Sequence, residues 1–260
     1  FSIDHERNNS DTNNPINTNH GILCREEVYV SLSYANNTDR KKGNGTAYND
    51  TIDFISGIAL VKATGGTIHF FPNEIYTLED IKKLEPTFDW YVEFFKFNIF
   101  IEGNNCTFSN FGLQSNVDFG TNIHFMNLTF KNYTDYSPII NDGRDNVIEN
   151  CKFINNSVIS VINNGENLKI INSTFIDNNV LAVSSNASNM IIEGSVFDSN
   201  PTHMAIDVGG NFTHIINSKF INATQSAIVV NASDVYIIGS NAYFLSSELA
   251  TLLSGRYIEI

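Results

Sequence analysis

The chain has 260 residues, 42% of them hydrophobic and 17% charged, with 15 basic against 28 acidic side chains and a formal net charge of −13. That length supports one large domain or two small ones, and the acidic balance excludes the basic face that nucleic-acid binding requires. It also argues against docking on anionic lipid, and no stretch is long and apolar enough to span a bilayer.

Asparagine is the compositional outlier, at 38 residues. Asn is poor in helix interiors but tolerates left-handed backbone and sharp turns, so the composition suggests many short strands separated by tight corners. The three cysteines, Cys24, Cys106 and Cys151, match no metal-ligand spacing. The chain opens on Phe1 with no visible secretory signal, and reads as a mature or excised piece of a longer protein.

In chain order, residues 1–26 are polar and aperiodic, an extended or poorly ordered leader. Residues 27–96 read as an N-terminal cap and first coils. Within them Glu27 to Tyr34 has the pattern of a strand, and residues 52–63 form the best helix candidate, with Thr51 as N-cap and Gly65-Gly66 as stop. Its apolar residues Phe54, Ile55, Ile58, Leu60 and Val61 are expected to cover the open end of a stack. Gly65 to Leu78 reads as two strands around Pro72-Asn73, and Phe88 to Phe97 is dense in aromatics and holds the single tryptophan, Trp90.

From 97 to 245 one aromatic recurs, at Phe108, Phe130, Phe153, Phe175, Phe197, Phe220 and Tyr243, with spacings of 22 or 23 residues. Three residues before it stand Asn105, Asn127, Asn150, Asn172, Gly194, Asn217 and Ser240; five before stand Gly103, Phe125, Ile148, Ile170, Ile192, Ile215 and Ile238. Such self-similarity marks a repeat architecture. There is no leucine ladder, and segments such as Leu168-Lys169-Ile170-Ile171-Asn172 are too short and β-branched for helical repeats. The expected fold is therefore all-β: a right-handed parallel β-helix, a solenoid of about 22-residue coils capped by an amphipathic N-terminal helix. Residues 246–260 form a C-terminal segment without a clear polar cap, as if the chain stopped partway through a longer protein.

Stacked coils predict which columns face inward. The recurring aromatic, the residue five before it and the residue seven before it (Ile101, Ile123, Leu168, Met190, Tyr236) should point in. So should the column two before it: Cys106, Leu128, Cys151, Ser173, Ser195, Ser218 and Asn241. Glu149, Glu193, Lys169, His124 and His214 should point out. The Asn column belongs at a corner, where stacked amides can bond to one another. Cys106 and Cys151 fall in one column two coils apart, about 10 Å by the strand spacing. They are expected as buried thiols beyond disulfide reach.

The stretch "GGTI-h-h-P-x-x-x-Y" from Gly65 to Tyr76, the preceding helix and the "N-x-x-F-x-N" coils together resemble the pectate-lyase-like β-helix superfamily. They resemble more closely the adhesin-like surface proteins of methanogenic archaea. The resemblance covers residues 27–245. It implies an extracellular, cell-surface location and attachment to a glycan or protein on another cell, although the scaffold also carries lyases and hydrolases. Enzymes of the superfamily use clustered Asp for Ca²⁺ with an Arg base, or Asp pairs on neighbouring coils.

Here the coil region has a single arginine, Arg144, in what reads as a polar turn, and no Asp-Asp pair occurs. Glu149 and Glu193 lie two coils apart, near the outer limit for an inverting glycosidase pair, and read better as solvated charges. No catalytic residue, metal or cofactor is therefore expected; Ca²⁺ is not indicated by the residues, and the sequence leaves it open. A solenoid instead offers a long, rigid binding face. The candidate contact residues are Trp90, Tyr91, Tyr133, Tyr136 and His203, against the alternative that the Phe88–Phe97 rings fill the first coils under the cap. Thirteen Asn-x-Ser/Thr sequons occur, with glycan acceptors expected at Asn36, Asn44, Asn49, Asn132, Asn186, Asn211 and Asn231.

Overall fold

A computed structural model describes residues 27–32, 43, 45–118, 120–198, 205–223, 227–244 and 258–259. The leader, Cys24, Asn36, Asn44, His203 and most of the C-terminal segment lie outside the described residues.

Three parallel sheets wrap one interior. In a representative coil the chain runs Val147–Glu149 in the first sheet, Lys152–Ile154 in the second and Val161–Asn163 in the third, and then returns to the first at Lys169–Ile171. Each strand pairs with its counterpart one coil away. Ile148 lies between Phe125 and Ile170, Phe153 between Phe130 and Phe175, and Val161 between Ile139 and Val183. Among the described residues the first sheet has ten strands, the second eight and the third seven. This is a parallel β-helix, right-handed as parallel crossovers nearly always are.

Strands of three or four residues need corners between them, and the asparagines supply these. One column of left-handed residues joins the first sheet to the second: Asn105, Asn127, Asn150, Asn172, Gly194 and Asn217, with φ between 48° and 64°. A second column leaves the second sheet at Asn110, Asn132, Asn155, Asp177 and Asn222. A third enters the first sheet at Asn98, Asn122, Asp145, Asn167, Asn189, Phe212 and Asp234. Besides glycine, Asn and Asp are the residues that enter this region at low cost.

The expected amide ladder at the Asn127 corner is not what holds it. Among the described residues no amide of that column bonds to another. The backbone N–H groups bridge coils instead: Asn127 donates to Glu149 O at 3.1 Å, Asn150 to Ile171 O at 3.0 Å and Asn172 to Glu193 O at 2.9 Å. The column is uniform in conformation; the amides of Asn105, Asn150, Asn172 and Asn217 are exposed, while Asn127 Nδ2 donates to the Glu102 carboxylate at 2.9 and 3.0 Å.

The interior follows the predicted columns. Phe130, Phe153, Phe175, Phe197 and Phe220 form a continuous stack with centroid separations of 4.6–5.0 Å and interplanar angles of 13° or less. Cys106, Leu128, Cys151, Ser173, Ser195 and Ser218 are buried beside them. Each serine hydroxyl accepts the backbone N–H of the preceding coil, at 3.1–3.2 Å from Cys151 to Ser173, Ser173 to Ser195 and Ser195 to Ser218. Cys106 and Cys151 are buried and unpaired, and burial pushes both thiols up to about 12.

A true amide ladder lies where the third sheet ends. Ser115 Oγ donates to Asn141 Oδ1 at 2.9 Å, Asn141 Nδ2 to Asn163 Oδ1 at 2.7 Å and Asn163 Nδ2 to Ser185 Oγ at 2.9 Å. All four residues are buried, so these bonds satisfy polar groups that water cannot reach.

The N-terminal end is closed by helix α1 (Phe54–Thr64). Its N-cap is Asp53, whose carboxylate accepts Ser56 N at 2.8 Å, and not Thr51: an ionised acceptor suits the positive helix end. Phe54 descends into the interior, within 5.5–6.5 Å of the Phe70, Tyr76, Phe108 and Phe111 rings. The preceding strand is shorter than expected, Glu27–Val30. A second helix, α2 (Leu78–Leu84), was not anticipated. Its N-cap Thr77 accepts from Asp80 N at 3.2 Å and donates to Asp80 Oδ2 at 2.7 Å.

Two coils depart from the predicted register. At the start Ile101, not Gly103, pairs with Phe125, because Asn104 and Asn105 lengthen the corner. At the end Phe220 pairs with Ala242 and Ile215 with Ile237. Ile238 and Tyr236 are therefore not the inward members; Val235 is buried and Ile238 is 47% exposed. The corner residue there is Gly239 (φ 63°), not Ser240, and Ser240, not Asn241, continues the serine column by accepting Ser218 N at 3.1 Å.

Candidate functional site: the outer face of the third sheet

The strand Tyr91–Phe94 opens the third sheet, and its alternation sends Val92 and Phe94 inward and Tyr91 and Glu93 outward. Tyr91 pairs with Gly112, and its ring occupies the space beside that residue: a Cβ on Gly112 would stand 2.2 Å from Tyr91 Cε1. Tyr136 reaches the same place from the turn after the second sheet. It stacks on Trp90 at 4.8 Å with an interplanar angle of 2°, and meets Tyr91 edge-on at 6.2 Å. Trp90 is 40% exposed. Three of the predicted contact residues thus form one aromatic platform.

Tyr133 does not belong to it. The residue is fully buried, its hydroxyl donates to Phe111 O at 2.7 Å, and its backbone N–H donates to Asn156 Oδ1 at 3.0 Å. Burial holds the phenol well above its ordinary range. Tyr133 is the internal anchor of the turn that carries Tyr136, and a ligand cannot reach it. The alternative reading of the Phe88–Phe97 stretch holds in part: Val92 and Phe94 fill the first coil, while Trp90, Phe95 and Phe97 remain exposed.

Along the coil axis the platform meets a polar row. Glu93 pairs with Gln114 across the sheet, and Glu93 Oε1 accepts Asn116 Nδ2 at 2.9 Å. Asp142 accepts Gln114 Nε2 at 2.7 Å and Asn164 Nδ2 at 2.8 Å. Two carboxylates held by side-chain amides therefore share the outward face with the rings, and the charge of Asp142 acts on the Tyr91 phenol. Rings present an apolar surface with polar edges, and the carboxylates and amides supply acceptors and donors. A saccharide, with its apolar C–H face and rim of hydroxyls, matches that combination.

Glu93, Gln114, Asn116, Asp142 and Asn164 were missed in the sequence because the third strand of each coil was not read. The inward alternation of Val92/Phe94, Leu113/Ser115 and Ile139/Asn141 is the signal that marks it. The other titratable groups are scattered. Glu149 and Glu193 flank Ile171 in one outward column, and His124 and His214 lie four coils apart. Arg144 is exposed in a turn. Among the described residues no group of three or more His, Cys, Asp or Glu is placed to hold a metal ion.

Of the expected glycan acceptors, Asn49, Asn132, Asn186, Asn211 and Asn231 are exposed. Asn186 and Asn231 leave the third sheet in equivalent turns two coils apart, each N–H donating to the strand below. Among the described residues no helix is long and apolar enough to cross a membrane.

Neither a family model nor a curated protein sequence matches the chain. Among solved structures, the crystal structure of the pectate lyase Pel9A is similar, with a TM-score of 0.53 and 15% sequence identity. The match covers 90% of this chain and 80% of that one. At that identity the likeness is one of fold, and the fold is the parallel β-helix of a pectate lyase.

Proposed function

We propose that the chain is an adhesin-like binding module of a cell surface, whose third sheet grips a glycan carried by another cell. The observation that carries this reading is the parallel Trp90–Tyr136 stack, met edge-on by Tyr91, on the sheet face that also carries the amide-held carboxylates Glu93 and Asp142. Rigid coils keep the rings in place before a ligand arrives, so little ordering entropy is lost on binding. The acidic surface turns away polyanions such as nucleic acid and favours neutral saccharides. An extracellular location agrees with the resemblance to surface adhesins and with the exposed sequons. No metal or cofactor enters this scheme.

The second reading, a polysaccharide lyase or glycoside hydrolase, is favoured by the pectate-lyase fold and by the presence of two carboxylates on one face. A structural stalk is the third. A glycan array and a cell-binding assay, each run with the wild type and with Trp90→Ala, separate them. Adhesion predicts binding that the substitution removes, with no release of reducing or unsaturated ends from a polysaccharide panel. Such release would establish the enzyme, and null results in both assays would establish the stalk.

A further inference from the structure

Helix α1 presents two different flanks. Phe54, Gly57, Ile58 and Val61 are buried against the coils, while Ile55, Ala59, Lys62 and Ala63 face a groove whose opposite wall is Glu85, Phe88, Tyr91 and Val92. The groove has a volume of about 500 Å³, within the range of small-molecule sites. Its lining is apolar apart from two charged groups. The Glu85 carboxylate is engaged by Thr87, whose N–H donates to it at 3.2 Å and whose hydroxyl also donates to it.

Lys62 is the unusual member. It stands in the last turn of α1, where a cation suits the helix dipole, and its ammonium lies 5.3 Å from the centre of the Phe95 ring. Yet it forms no ion pair among the described residues, in a chain with nearly twice as many acidic as basic groups. Desolvation lowers its pKa, opposed by the charge of Glu93. Glu93 itself is held by Asn116. The charge of Glu93 acts on Lys62 without an ion pair forming, so the partly desolvated ammonium at the edge of the apolar groove keeps donors for an incoming anion.

We propose that this groove binds a small amphipathic anion, a carboxylate on an aliphatic or aromatic body. The carboxylate accepts from Lys62 Nζ, and the body lies between Ile55 and Ala59 on α1 and Phe88 and Val92 opposite. The site shares with the glycan platform Tyr91, which borders both, and the charge of Glu93, which acts on Lys62, and it does not rest on the adhesin reading.

The test is isothermal titration of the purified chain with decanoate, and with decanol as the uncharged analogue. Wild type should bind decanoate saturably at one site. Lys62→Met keeps the length and apolar stem of the side chain, and should weaken decanoate at least about tenfold, the worth of a charge-assisted hydrogen bond, while leaving decanol unchanged. Ala59→Phe should fill the groove and weaken both ligands. Trp90→Ala should leave both unchanged, which separates failure here from failure of the glycan reading. Absence of saturable decanoate binding to the wild type, equal affinity in Lys62→Met, or no effect of Ala59→Phe would each overturn the proposal.

Discussion

Phe212 occupies a position that the fold reserves for another kind of residue. In the corner that enters the first sheet, six of the seven left-handed residues are Asn or Asp, and the seventh is Phe212 at φ 56°. Its ring is 50% exposed and its side chain fills no interior space. A residue with a Cβ loses roughly 1 kcal/mol or more in this region relative to glycine. At an ordinary position the order is opposite, and alanine is the more stable by about 0.5–1 kcal/mol. Comparison of Phe212→Gly with Phe212→Ala cancels the lost ring and leaves only the backbone. The glycine variant should be the more stable by about 1 kcal/mol, or about 2–4 °C in melting temperature for a domain of this size, and Phe212→Asn should fall between them. Thermal unfolding followed by circular dichroism at 218 nm (about the β-sheet minimum) reads this directly. An alanine variant melting at or above the glycine variant would refute the left-handed assignment and, with it, the placement of that corner.

Other expectations bear on the interior. Asn163→Ala should destabilise the chain by about 2–4 kcal/mol in urea titration, since it removes two buried side-chain bonds and leaves the Asn141 amide only its longer 3.4 Å contacts to Gly143 O and Gly165 O; a loss under about 0.5 kcal/mol, the scale of a surface substitution, would count against the inner ladder. Phe175→Ala removes the middle ring of the five-membered stack and should cost about 3–5 kcal/mol, a value that equilibrium unfolding should reproduce. Cys106 and Cys151 should resist iodoacetamide at pH 8 in the folded chain and react once unfolded in urea, as peptide mass analysis would record. Their thiols titrate near 12 when folded and near 9.0 in the reference state. The unfolded chain therefore loses these protons first, and the contribution to stability is full below pH 9 and lost as the pH rises towards 12.

The coil period, the Phe stack and the serine column were legible in the sequence because each repeats a distinctive residue at a strict interval. The third sheet was not, because its inward column changes chemistry from Ser115 through Asn141 and Asn163 to Ser185 and Val208, and no single residue type recurs. The same variety hid the amide ladder. Composition pointed correctly to Asn at corners but misassigned the cause: exposed amides such as Asn150 and Asn172 are selected for their backbone angle, not their side-chain bonds. The first and last coils slipped because Asn104 with Asn105, and the register shift after Ile221, break the period that located the others. Helix α2 could have been found from Thr77-x-x-Asp80, a capping-box pattern. Within the site, Trp90, Tyr91 and Tyr136 stood out as aromatics, but Tyr133 looked equivalent to Tyr136 three residues later. Only the fold distinguishes a ring inside the coil from one outside it.

Because Trp90 is the chain's single tryptophan and lies against Tyr136, its emission reports on the proposed glycan platform without any label. Titration with neutral oligosaccharides drawn from an array-positive class should shift and saturate that emission, and Tyr136→Ala should abolish the response. A polysaccharide that binds tightly while the Trp90 emission stays constant would place recognition elsewhere on the solenoid and contradict the account.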